Sequence, residues 1–195
     1  IYGPIATRHR LDSPRIYSAY FDHYEGYKMT LSYLYNQGYR KIGHILGRKE
    51  NLNTQARIRA IQDFYAEKGL KEEPWIFHDT YHSNITNEVI EYWEKNKSKL
   101  DVLSFYYDNK AADFKSEMEN RGYQIPEDVA IIGFDNSHLS QLMHITSVDY
   151  SIISQAENSF LYIYNQLNET MLPEKKIQVK LVERMTTPSM NRPLP

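Results

Sequence analysis

The sequence predicts an α/β fold, a three-layer αβα sandwich built on a parallel sheet. Three observations carry this reading. Val102 to Tyr107 and Val129 to Phe134 are near-continuous apolar runs of strand length, the pattern of parallel strands covered by helices on both faces. A helical segment lies between them, so the stretch 101–136 reads as a βαβ unit whose strands run into Asp108-Asn109 and Asp135-Asn136. The same alternation recurs upstream, and strands alternating with helices of this length specify right-handed crossovers.

Taken in order, Arg15 to Phe21 is the first strand candidate and ends at Asp22, where Asp22-His23-Tyr24-Glu25 has the spacing of a capping box. A helix follows from Tyr24 to Gln37, because Tyr24, Tyr27, Leu31, Leu34 and Tyr35 share one face and Gly38 can close it in the left-handed conformation. Lys41 to Leu46 is the next strand. Thr54 is read as the cap of a helix through Lys68, with Ile58, Ile61 and Tyr65 on one stripe and Gly69 as its stop. Trp75 to His78 is a short strand ending in Asp79, and Thr86 to Asn96 is a helix burying Val89, Ile90 and Trp93. Beyond Asp108, Lys110 to Arg121 is helical, with Ala111, Phe114 and Met118 inward and Gly122 as its stop.

Composition narrows the function. A chain of 195 residues can bury a sizeable core, and its net charge of −2 lacks the basic field that nucleic-acid binding uses. With no cysteine there is neither a disulfide framework nor a thiolate metal site. No apolar run approaches the roughly 18 residues of a membrane span. Phosphate-loop, nucleophile-elbow and H-E-x-x-H patterns are missing, and the 7 histidines lack ligand spacing, so neither a catalytic centre nor a cofactor is expected. The Arg8-His9-Arg10 cluster reads as solvated surface.

The two strand-end aspartates are the informative polar residues. In open α/β sheets ligands bind outside the carboxyl ends of the strands, which favours recognition by Asp108 and Asp135. The competing reading is that each simply caps the helix that follows.

The motif order resembles the effector-binding region of the lactose-repressor (LacI/GalR) family of transcriptional regulators, a periplasmic-binding-protein-like fold. The resemblance runs over about residues 16–190, through Tyr20-Phe21-Asp22, Leu34 to Gly43, Ala56-Arg57, Gly69-Leu70, Asp108 with Ala111, Gly122 to Val129, Gly133-Phe134-Asp135, Thr146-Ser147-Val148 and Glu183 to Thr187. It implies that residues 1–19 end a truncated N-terminal subdomain and that 20–146 form the C-terminal effector-binding subdomain. Residues 147–172 would then be a crossover with a helix of the N-terminal subdomain, and 173–195 a return strand and tail.

The resemblance also implies ligand-binding roles. Arg57 matches the arginine that reaches the effector and Asp135 the carboxylate that accepts its hydrogens, a pairing suited to a small polyol. Tyr107 stands where the family commonly has Asn. Tyr81 falls near a pocket aromatic that could stack on a sugar face or pack on the core, and Asp108 supports the helix and a neighbouring side chain. For Arg57 the bland alternative is an ion pair on an exposed helix face, and Arg59 should point elsewhere into solvent. Ala60 and Ile61 depart from the family's usual Gly and Phe.

The implied partners are a small-molecule effector (a sugar or derivative), a second copy of the chain, and operator DNA held only through an N-terminal helix-turn-helix outside this sequence. Dimerisation is expected through the helices after Asp79 and Asp108 and through Ser137 to Met143. The apolar stripe Ile153, Ala156, Phe160, Ile163, Tyr164 and Leu167 is expected to pack on a neighbour, move onto the core, or be poorly ordered. A cytoplasmic regulator is the leading expectation. A periplasmic sugar-binding protein and a magnesium-dependent phosphoryl-transfer enzyme are the alternatives.

Overall fold

Alternating side chains on four adjacent parallel strands build two apolar layers, one on each face of a central sheet. The architecture is that of a computed structural model that describes residues 5–7, 16–18, 21–71, 74–80, 84–173 and 177–190. Its elements run β1 (Ile5–Thr7), β2 (Ile16–Ser18), α1 (His23–Asn36), β3 (Ile42–Leu46), α2 (Leu52–Lys68), β4 (Trp75–His78) and α3 (Ile85–Lys95). They continue with β5 (Val102–Phe105), α4 (Asp108–Asn120), β6 (Ala130–Phe134), α5 (His138–Leu142), β7 (Ser147–Asp149), α6 (Ile152–Asn168) and β8 (Lys180–Val182). The predicted α/β class with a parallel sheet between helices is the observed one.

The chain divides into two compact units, residues 1–22 with 149–180, and residues 23–148 with 181–195. In the larger unit the sheet order is β4-β3-β5-β6-β7-β8, and the pairings β3–β4, β3–β5, β5–β6 and β6–β7 are all parallel. The chain winds outward from β3 to β4, then returns across β3 to β5. That reversal creates a switch point between β3 and β5, where the strands' carboxyl ends open a crevice.

Strand alternation sends Ile42, Leu46, Val102, Ala130 and Ile132 to one face, against Tyr27, Leu31 and Leu34 of α1 and Ala60, Ile61 and Phe64 of α2. Ile45, Leu103, Phe105 and Ile131 face the other way, against Val89, Ile90 and Trp93 of α3 and Ala111, Phe114 and Met118 of α4. Gly43 suits this second layer, since a Cβ there would lie 2.6 Å from a Leu103 methyl and force that side chain to shift.

Several local expectations need correction. Helix α2 begins two residues ahead of Thr54, capped by Asn51, whose side chain accepts from the Asn53 N–H, while Thr54 is buried inside the helix. Helix α4 begins at Asp108 rather than Lys110, and its N-cap is Tyr107, which makes no side-chain capping bond. The strand ahead of it therefore stops at Phe105. Gly69 does end α2 in the left-handed conformation, φ 63°.

In the smaller unit β1 and β2 pair in parallel, with Ala6 opposite Tyr17, and α6 lies against them. Tyr17 stacks on Tyr162 with ring centroids 4.8 Å apart. The buried face of α6 is partly polar, holding Gln155 and Asn158, and the Gln155 amide donates to the Tyr150 carbonyl. Consequently the apolar stripe faces outward, with Ile153 72%, Phe160 64% and Leu167 68% exposed. This corrects the expectation that the stripe would move onto the core or lose its order: it forms a regular helix whose other face is already occupied.

Candidate functional site

The carboxyl ends of β5 and β6 carry the site, and the segments that leave them are set by packing beneath. Arg57 belongs to the buried side of α2 because its stem rides beside Ala60 and Ile61; it is only 3% exposed. An ion pair on an open helix face is thereby excluded. Its guanidinium lies 4.2 Å from the Phe134 ring centroid and donates to the Tyr106 carbonyl at 3.1 Å. Its other terminal nitrogen lies 3.3 Å from Nδ1 of His23, whose ring stacks on Phe134. Since Phe134 immediately precedes Asp135, the structure brings Arg57 to the sheet edge where Asp135 leaves β6. Arg59 is exposed on the opposite side of α2.

Asp135 does not cap the next helix. That role belongs to Ser137, whose side chain accepts from the Ser140 N–H. Asp135 and Asn136 instead adopt positive φ values of 120° and 52° in succession. Such backbone costs about 1–3 kcal/mol per residue outside glycine and persists where surrounding contacts over-determine it.

Asp108 is fully buried, and its carboxylate does not cap α4 either. One oxygen accepts the Ser147 hydroxyl at 2.6 Å and the other the Ser137 N–H at 2.6 Å. It is a clamp between the β5, β6 and β7 ends: it holds a neighbouring side chain, Ser147, as expected, but does not support the start of α4 through a capping bond. Gly133 has to be glycine for the clamp to fit, because a Cβ there would meet the Asp108 carboxylate at 2.2 Å.

Tyr107 is half-exposed beside Tyr106, ring centroids 4.5 Å apart. The Tyr106 hydroxyl donates to Asp79 at 2.5 Å, and Lys110 sits 3.2 Å from the same oxygen. Burial, then the bond to Asp79, raise the Tyr106 pKa well above the ordinary phenol value, so the ring stays neutral. Tyr81 lies outside the described residues, as does the Arg8-His9-Arg10 cluster.

Behind Arg57 a second polar group is sealed in the core. The Tyr27 hydroxyl donates to Ser104 at 3.1 Å and lies 3.0 Å from Nδ1 of His44, and Arg57 lies 5.8 Å from the Tyr27 ring. With the Tyr27 proton on Ser104, Nδ1 of His44 is the donor and its Nε2 is left as a bare acceptor. Burial pushes the His44 pKa down to about 3.

Chemically, the edge offers a locked guanidinium donor, a carboxylate acceptor on a tense turn and flanking aromatic surface. Those are the elements that orient a small hydroxylated or anionic molecule. Among the described residues no group of three or more His, Asp or Glu could hold a metal ion. Sequence reasoning missed His23 and Arg184. His23 was hidden inside a capping-box pattern, and Arg184 lies far along the chain, its Nη2 donating to the Asn136 side chain at 2.6 Å.

Comparison with known proteins places this geometry. The HTH-type transcriptional regulator YkvZ of Bacillus subtilis strain 168 is 26% identical over 185 residues, which cover 94% of this chain and 58% of YkvZ. The chain thus spans well under two thirds of that relative's length. The transcriptional repressor PurR of Aliivibrio salmonicida is 28% identical over 130 residues, 66% of this chain and 39% of PurR. Among solved structures, a periplasmic binding protein/LacI transcriptional regulator from Alkaliphilus metalliredigens, complexed with D-xylulofuranose, is 28% identical with a TM-score of 0.75, covering 93% of this chain and 69% of that one. A sugar-binding LacI-family regulator from Escherichia coli, complexed with phosphate, reaches a TM-score of 0.80 at 20% identity, with 93% and 67% covered, and shares the fold. The model of the periplasmic binding protein-like domain matches residues 31–187, most of the length, and with these relatives it establishes that the chain belongs to that family, in its LacI/GalR branch.

Proposed function

We propose that this chain senses a small sugar or sugar derivative and thereby regulates transcription, without catalysing a reaction on it. The observation that carries the reading is the seating of Arg57 on Phe134, one residue from Asp135. In this reading the guanidinium donates to ligand hydroxyl or phosphate oxygens, Asp135 accepts hydroxyl protons, and Tyr107 and Tyr81 supply ring surface. The effector favours one conformation of a dimer, and that preference reaches DNA through a reading head outside this sequence, in the cytoplasm. Support comes from the D-xylulofuranose held by the Alkaliphilus metalliredigens relative and from the regulator names of YkvZ and PurR. The phosphoryl-transfer alternative is weakened because both oxygens of Asp108 are engaged by Ser137 and Ser147.

The test is a thermal-shift screen of sugars, sugar phosphates and inorganic phosphate on wild type, Arg57→Ala and Asp135→Ala. A true effector at a hundredfold excess over its Kd stabilises the wild type by about 2.7 kcal/mol. Both variants should lose that response. A response that survives in both would overturn the site, and tight magnesium binding abolished by Asp108→Asn would return the enzyme reading.

A further inference from the structure

We infer that Arg184, through Asn136, and Asp108, through Ser147 and Ser137, are positioning residues that hold the Asp135 carboxylate in its recognition posture. The inference rests on the sensor reading above. Its starting point is the pair of left-handed residues at the end of β6, Asp135 with φ 120° and Asn136 with φ 52°. Asn tolerates the left-handed region, but Asp135 at φ 120° lies where L side chains avoid going, so something must hold the turn there.

Restraints converge on this turn from four directions. The Asp135 N–H donates to the Val148 carbonyl at 2.9 Å, which ties the turn to β7. The Asn136 N–H donates to the Ser147 hydroxyl at 2.9 Å, and that hydroxyl in turn donates a hydrogen bond to Asp108 at 2.6 Å. On the far side of the turn the Ser137 N–H donates to the second Asp108 oxygen at 2.6 Å. From the segment after β8, Arg184 donates one nitrogen to Asn136 Oδ1 at 2.6 Å and another to the Ile145 carbonyl at 2.7 Å. The Arg184 backbone N–H is itself anchored on Thr146 Oγ1 at 2.9 Å.

Each contact has a chemical reason to be directional. A buried carboxylate with a hydroxyl and an amide as its two donors fixes both, because charge-assisted bonds are short and costly to break. A guanidinium is a planar fork and can serve the Ile145 carbonyl and the Asn136 amide together, which a single ammonium cannot match. Arg184 and Asp108 therefore govern the orientation of Asp135 without contacting the ligand.

The experiment uses isotope-labelled chain and follows the Asp135 side-chain carboxyl carbon through a pH titration, with the amides of Asp135 and Asn136. Wild type is compared with Arg184→Ala, Arg184→Lys, Ser147→Ala and the double variant Arg184→Ala/Asn136→Gly. The single variants should displace the Asp135 signals and its titration midpoint while core amides such as Ile45 and Val89 stay in place. Glycine takes positive φ without help, so the double variant should bring the Asp135 signals back toward wild type. Loss of melting temperature with unchanged Asp135 signals would overturn the inference and leave Arg184 and Ser147 as plain structural residues. A displaced Asp135 that glycine at position 136 does not recover would overturn it too. Calorimetry with D-xylulose as probe adds a separate arm, in which Arg184→Ala should weaken wild-type binding at least tenfold. Failure of the wild type to bind any sugar or phosphate would count against the sensor reading, whereas the ligand-free signals decide the positioning role by themselves.

Discussion

Beneath the sheet edge, His44 sits fully buried between α1, α2 and the strands, and its chemistry makes the fold acid-sensitive. Burial lowers its pKa from the ordinary 6.5 to about 3. Above pH 6.5 the imidazole is neutral in both folded and unfolded chains and contributes no pH dependence. Between 6.5 and 3 the unfolded chain binds a proton that the folded chain refuses, so stability falls as pH falls, by about 1.4 kcal/mol per pH unit. His44→Asn removes the titration and keeps a polar partner for Tyr27. Urea unfolding at pH 7.5 and pH 5 should show the wild type losing about 2 kcal/mol more than the variant over that interval. Equal losses would mean that solvent reaches His44. Gly133 gives the complementary test at neutral pH, since its Cβ would collide with Asp108 and with that residue's backbone Cα at 3.3 Å. Gly133→Ala should cost about 3 kcal/mol or more in urea unfolding, beyond the usual range for a small side chain added to a strand, because the buried carboxylate would lose its donors.

At the level of elements, what the sequence made legible was whatever depended on periodicity. Strands β3, β4 and β6 and helices α1 to α4 are read within a few residues because their apolar patterns are set by a sheet buried on both faces. Boundaries drifted where a nearby polar residue imitated a cap. Thr54 looked like the start of α2, yet the chain had already turned helical at Leu52 on the strength of Asn51. Arg57 and Asp135 were proposed through motif order alone, since no local pattern marks a buried arginine lying on a ring that arrives from another strand. The positive φ values at Asp135 and Asn136 had only a weak marker, since Asp and Asn tolerate the left-handed region but also serve as helix caps. Helix α6 is the element whose pattern and burial disagree: its stripe at Ile153, Phe160 and Leu167 is solvent-facing while Gln155 and Asn158 are inside. Exposed apolar area of that kind binds hydrophobic dyes and promotes association. The pair Phe160→Lys and Leu167→Lys should sharply reduce dye binding and aggregation while shifting the urea midpoint little, the usual outcome for surface positions. A large loss of stability would reveal that these side chains are buried in solution.

For the molecule as a whole, the chain passes between its two units at 22–23, 148–149 and 180–181. In the function proposed above the bound state is passed on through a partner copy, and the larger unit contains the surface proposed to receive it. The groove between α3 and α4 is polar, lined by Asn84, Thr86, Asn87, Asp113, Ser116 and Glu117. Apolar area is supplied instead by α5, where Leu139 packs on the core and Leu142 stands 63% exposed. An isologous dimer across this face would therefore bury Leu142 near its centre and leave the α3 and α4 groove to contribute hydrogen bonds at the rim. Leu142→Asp places a charge at that centre, where one desolvated carboxylate is enough to weaken association by orders of magnitude. Sedimentation at micromolar concentration should find the wild-type regulator dimeric and the variant monomeric, with the variant folded and its unfolding midpoint independent of protein concentration, whereas that of the wild type rises with concentration. A wild type that sediments as a monomer, or a variant that stays dimeric, would move the interface to another face.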